Sequence, residues 1–165
     1  MTRQLWRFLA AGLTVFVLVA APAIAQKPDA ELKGITKVGL EVEDLSSQAA
    51  ACGLNLDTIQ TAVSKILVDN GLKVVRNTDN DTYVYVQVNT ISIPGGLCVS
   101  RYDAFLYTHT SATLSYQASP VLVQVSLFHQ GGMAGGGSTG HGDNVVRSVK
   151  QYVEQIATRI RTANQ

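Results

Sequence analysis

Residues 82–90 read Thr-Tyr-Val-Tyr-Val-Gln-Val-Asn-Thr, and their reading decides the fold. Val84, Val86, Val88 and Thr90 fall on one side of an extended chain, and Tyr83, Tyr85, Gln87 and Asn89 fall on the other. A period of two with one apolar side marks a strand whose sheet is packed on one face only. The sheet therefore has a core side and a second side that carries tyrosines and amides.

On the amino-terminal side, Leu72–Arg76 reads as a short strand and Asn77–Asp81 as a turn of residues that bond their own backbone. Before them, Leu56, Ile59, Val63, Ile66 and Leu67 recur at three- and four-residue spacing, the stripe of a one-sided helix. Asn55 or Asp57 can cap its start, and Asn70-Gly71 supplies a left-handed stop. Residues 35–43 alternate and form the first strand. Strand, helix, strand is a crossover, so the first two strands are expected to be parallel and adjacent. Ser46–Asn55 reads as a loop or a loose helical turn.

On the carboxy-terminal side, Pro94-Gly95-Gly96 turns the chain into a strand from about Cys98 to Thr108. Thr110–Tyr116 continues it past a bulge or forms a further short strand. A strand over Val121–His129 follows, with Val121, Val123, Val125 and Leu127 as its core face. Residues 131–142 hold seven glycines, so 130–142 reads as a flexible loop. Asp143 or Asn144 then caps a last helix to about residue 163, striped by Val146, Val149, Val153, Ile156 and Ile160. The expected class is α+β: a two-layer sandwich in the order β-α-β-β-β-β-α, one mixed sheet with two helices on one face.

The apolar residues of the 165-residue chain are unevenly spread. Residues 1–25 hold 18 of them: Arg3 and Arg7 lead, an apolar run from Phe8 to Ala21 follows, and Ala23-Ile24-Ala25 closes the segment. This is the plan of a signal peptide cleaved after Ala25, with an uncleaved anchor as the other reading. The organisation expected is then a signal peptide over 1–25, a flexible lead-in over 26–34 and a single domain over 35–165. Cleavage would leave 11 basic and 12 acidic side chains, no electrostatic footprint for nucleic acid. The mature chain is expected to be periplasmic or secreted, with no transmembrane or lipid anchor.

An oxidising compartment permits a disulfide. Cys52 and Cys98 are the only cysteines, and a bond between them is expected. Two separate buried thiols, or a reactive or metal-binding cysteine, are the alternatives.

Signals for chemistry are sparse. Gly135–Gly140 matches G-x-G-x-x-G, but no further strand with an acid follows, so a dinucleotide site is not expected. A looser anion nest at the helix start stays open. His109, His129 and His141 match no metal-ligand spacing. Ser126 and His129 fall on opposite sides of a regular strand. Glu41, Glu43 and Asp44 read as a charged strand end. Catalytic, cofactor and metal sites are therefore not assigned. The candidate partner-binding face is Tyr83, Tyr85 and Gln87, with Tyr102 or Tyr107 joining from the next strand according to register.

The order of a strand over 35–42, a helix ending Ile-Leu-Val-Asp-Asn-Gly-Leu-Lys-Val-Val, a polar turn and Thr-Tyr-Val-Tyr-Val-Gln-Val resembles small exported modules of the bacterial envelope. The amino-terminal domain of TolB and ABC-transport auxiliary proteins are examples; an exported family of its own is the other reading. The resemblance implies a two-layer sandwich and envelope assembly or partner binding, and it carries over no functional residue. The leading expectation is a non-enzymatic module that binds an envelope partner through the open sheet face or a sheet edge. The alternatives are a small exported hydrolase or ligand-binding enzyme, and a metal-handling protein using histidines of the glycine loop.

Overall fold

The computed structural model describes residues 28–76 and 80–165. The expected signal segment with its cleavage at Ala25, and the centre of the turn after Arg76, lie outside the described residues.

Five strands form one mixed sheet: β1 (Lys37–Val42), β2 (Lys73–Arg76), β3 (Thr82–Ile93), β4 (Leu97–Ala112) and β5 (Val121–Gly137). Their order is β2-β1-β3-β4-β5. β1 is parallel to both β2 and β3, and β3, β4 and β5 form an antiparallel meander. The crossover between β1 and β2 runs through α2 (Leu56–Asp69), as the sequence order requires. Asn55 caps α2 by accepting from the Thr58 amide at 2.9 Å, and Gly71 ends it at a φ of 86°.

The two long helices, α2 and α3 (His141–Ala163), pack side by side on one face of the sheet. Val63 and Ile59 of α2 and Val149, Val153, Ile156 and Ile160 of α3 are buried against Val38, Val84, Val86, Ala104 and Leu106 of the strands. This is the α+β two-layer sandwich that the alternation in β3 implies. A third, short helix, α1 (Ser47–Ala51), takes the place of the loose turn before α2 and is capped by the Ser46 hydroxyl. The Cys52–Cys98 disulfide is formed and ties the end of α1 to β4.

Several expectations are corrected. The stretch 130–142 is not a flexible loop: β5 runs through it to Gly137 and α3 starts at His141. Three of its glycines, Gly131, Gly132 and Gly142, answer to packing. A Cβ at Gly131 would strike the Asp103 carboxylate, and one at Gly132 the Tyr152 hydroxyl. One at Gly142 would strike the Gly53 carbonyl. Side chains from β4 and α3 lie across the backbone of β5, and only glycine admits them. Asp143 and Asn144 do not cap α3; Gly140 occupies that position, and Asp143 lies in the first turn.

The lead-in over 28–34 is docked. Leu32 is buried in the core, Asp29 pairs with Arg159, and the Gly34 amide donates to Asn164 Oδ1 at 2.8 Å.

β4 is continuous, and the irregularity lies in β5. Ser126 pairs with Tyr107 and Phe128 with Leu106, so Leu127 is an extra residue. The bulge reverses the alternation. Beyond it Phe128, Gln130, Gly132 and Ala134 face the helices, and the valine face expected from Val121 to Leu127 reaches only the bulge. Ser126 and His129 therefore share the open face, contrary to the regular period.

Candidate functional site

The three-residue turn Pro94–Gly96 fixes the register of β3 on β4, with Ile93 opposite Leu97, Tyr85 opposite Phe105 and Tyr83 opposite Tyr107. Residues directly opposite in an antiparallel pair share a face. The open face consequently collects Tyr83 and Tyr85 from β3, Phe105, Tyr107 and His109 from β4, and His129 from β5.

These rings form one connected group. Phe105 stacks on Tyr107 at 4.9 Å between centroids and on His129 at 4.2 Å, with planes 11° and 9° apart. Tyr85 touches Phe105 and Tyr107, and Tyr83 touches Tyr107 and His109. Tyr83 is only 8% exposed, although no helix among the described residues covers it, and the rings of Tyr107 and His109 lie against it. Burial, then Glu43 and Glu41, push the Tyr85 hydroxyl up to about 12. The acidic end of β1 thus belongs to this face.

Tyr102 does not. It points to the helix layer, 5% exposed, its ring 5.8 Å from that of Tyr152 on α3. The register leaves Tyr107 as the residue that joins Tyr83 and Tyr85, and Gln87 follows them along β3. Phe105 was not anticipated. Counting back from the turn places it opposite Tyr85 and is the signal that finds it.

Next to the rings lies an ion cluster. Asp103 is 3% exposed, and its carboxylate lies over Gly131. Arg101 Nε donates to Asp103 Oδ2 at 2.9 Å, and His129 Nε2 is 2.9 Å from Oδ1. Burial pushes the carboxyl up, but the hydrogen bonds and charges of Arg101 and His129 outweigh it and hold it below the ordinary carboxylate value. A shallow hollow of about 270 Å³ is lined by these three side chains with Gly131, Gly132 and Met133. Toward the hairpin tip the face turns aliphatic, with exposed Ile91, Ile93, Leu97 and Met133.

The helix side holds a second polar group, fully enclosed. Thr90 Oγ1 is 2.7 Å from Ser100 Oγ, which is 2.8 Å from His141 Nε2. All three are buried beside the disulfide. Ser100 and His141 make a serine–histidine contact, but no substrate reaches it. His129 and His141 are thus on opposite faces of the sheet and share no loop. Among the described residues no group of three or more His, Cys, Asp or Glu could hold a metal. A hollow of about 770 Å³ lies between α2 and β2 at the far edge and gathers no histidine. No helix among the described residues is long and apolar enough to cross a membrane.

No family profile matches the chain, and no curated protein matches it. Among solved structures the chain is similar to a minor lipoprotein from Acinetobacter baumannii, at 11% identity and a TM-score of 0.28. The match covers 78% of this chain and 91% of that one. The disulfide is the feature compatible with an exported protein.

Proposed function

We propose that this chain is an exported, non-enzymatic module that binds a protein partner of the bacterial envelope through its open sheet face. The observation that carries the reading is the connected ring group Tyr83–Tyr85–Phe105–Tyr107–His129 on a face that no helix among the described residues covers. Rigid aromatic side chains that already stack lose little freedom on docking and bury large areas, which is why they anchor interfaces. Arg101 beside them, held by the buried Asp103, supplies directional contacts at the rim. The apolar opening segment, the disulfide and the resemblance of residues 35–88 to envelope modules support export to the periplasm.

The test is site-specific photo-crosslinking in intact cells. A crosslinker at Phe105 or Gln87 is expected to capture one discrete partner, and one at Gln155 on the outer side of α3 is expected to capture none. Capture from Gln155 alone, or equal capture from both faces, would overturn the proposal.

One observation favours a second reading, a small exported hydrolase. His129 and Asp103 are hydrogen-bonded beside a hollow, so the imidazole has an orienting carboxylate for general-base work on water. That reading requires His129→Gln and Asp103→Asn each to abolish turnover of some ester, glycoside or peptide substrate. A panel on which the wild-type chain is inactive removes it.

A further inference from the structure

The outer edge of β5 is the longest free edge of the sheet, and no strand among the described residues pairs with it. Which of its backbone groups point outward follows from two hydrogen bonds. The Ser138 amide donates to the Gly96 carbonyl, so even-numbered residues after the bulge bond β4. The His109 amide donates to the Asp81 carbonyl, so odd-numbered residues of β4 bond β3 and even-numbered ones bond β5. Beyond the bulge the outward-facing residues are therefore His129, Gly131 and Met133. Before it, where Val125 is opposite Thr108, they are Ser126, Gln124 and Leu122. The step across the bulge, from Ser126 to His129, is three residues; every other step is two.

We propose that β5 pairs antiparallel with β5 of a second copy of this chain about a two-fold axis between Leu127 and Phe128, which makes one continuous ten-stranded sheet. The strand is complementary to itself in this register. Leu122 meets Met133 of the second copy, Gln124 meets Gly131 and Ser126 meets His129, and every one of these residues carries outward N–H and C=O groups. All six also lie on the open face, so Leu122 and Met133, 76% and 71% exposed, cover one another.

Three facts single out a second copy. The three-residue step at the bulge can be matched on both sides only by a strand with the same step at the same place. Val121–Gly137 contains no Lys, Arg, Asp or Glu, so self-pairing sets no like charges together. The edge also lacks the lysine or mid-strand proline that ordinarily keeps strands apart, its bulge being the one such device. The Tyr152 hydroxyl reaches the Gly131 carbonyl at 3.4 Å, which leaves that oxygen a second lone pair for the pairing. A two-fold pair closes on itself, so the assembly stops at two.

The proposal does not depend on what the open face binds, and it is read by mass rather than by crosslinking. The experiment is sedimentation velocity of the full chain, exported by its host cell, from micromolar to millimolar concentration. The wild type is expected at twice the chain mass. Met133→Pro removes an amide that β4 does not use and is expected to be monomeric. Leu122→Lys with Met133→Glu sets opposite charges together and should keep the dimer; Leu122→Lys with Met133→Lys sets like charges together and should abolish it. The two double variants leave the backbone intact and decide the matter if the proline variant folds poorly. A wild type monomeric throughout, a species larger than two copies, or a dimer that survives the Lys/Lys pair would each overturn the proposal.

Discussion

Asp103 and Gly131 sit directly opposite each other on β4 and β5, and the carboxylate of the first occupies the space where a side chain of the second would be. Gly131→Ala is therefore expected to displace the carboxylate from Arg101 and His129 and to destabilise the fold by about 1–3 kcal/mol. Gly136, on the same strand, has nothing within 4 Å of an added Cβ. Gly136→Ala is expected to be neutral or to stabilise by about 0.4–1 kcal/mol, through the unfolded chain. Denaturant melts of the two variants check this. Equal effects would mean that the glycines serve only flexibility.

That contrast shows where the sequence could and could not be read. The alternation in β3, the stripes of α2 and α3 and the crossover were legible because each is a local period fixed by backbone geometry. The glycines of β5 were not. Seven in twelve residues, five of them in β5, is the composition of a loop, and the groups that demand Gly131 and Gly132, Asp103 and Tyr152, come from distant parts of the chain. Tyr102 was ambiguous because both sides of β4 mix polar and apolar residues. The bulge at Leu127 has no marker of its own, yet it decides that Ser126 and His129 share a face. The candidate site was half legible for the same reason: the tyrosines of β3 announce a face, but its centre is assembled by register.

Acid should weaken the fold through Asp103. Its carboxyl is held below the ordinary value in the folded chain, so the folded state favours the ionised form. The stability this contributes is fully present above the unfolded carboxylate value, about 3.9, and is lost as pH falls through the lower folded value. Asp103→Asn is expected to lower stability at neutral pH and to flatten the acid limb of a plot of melting temperature against pH. An unchanged acid limb in the variant would show that the cluster is not coupled to folding.

Reduction of the disulfide should cost about 4 kcal/mol, since the bond closes a loop of 46 residues. Its site is also where Gly53 and Gly142 meet, so reduction should loosen the contact between the end of α1 and the start of α3. Chemical denaturation with and without reductant measures the cost. A loss well under 1 kcal/mol would mean that the packing around Gly142 holds this corner without the bond.

Charge on the helix faces tests the two-layer packing. Val63 and Val153 are fully buried between helix and sheet, whereas Val68, on the same helix as Val63, is 54% exposed. Val63→Asp and Val153→Asp each bury an unpaired carboxylate and are expected to cost more than about 3 kcal/mol. Val68→Asp is expected to stay within about 0.5 kcal/mol of the wild type. Soluble yield and thermal melts distinguish these outcomes, and a stable Val63→Asp protein would mean that α2 does not face the core.

The enclosed chain Thr90–Ser100–His141 links three elements, β3, β4 and the start of α3, through hydrogen bonds that water does not reach. Ser100→Ala removes the middle member and leaves both the Thr90 hydroxyl and His141 Nε2 short of a partner. A buried polar group left unsatisfied costs about 1–3 kcal/mol, so the variant should lose at least that much. Ser100→Ala with Thr90→Val removes the second stranded hydroxyl and should recover part of the loss. A double variant no more stable than the single would show that the cost lies in His141 alone. Thermal melts of the two variants, compared with the wild type, separate these outcomes.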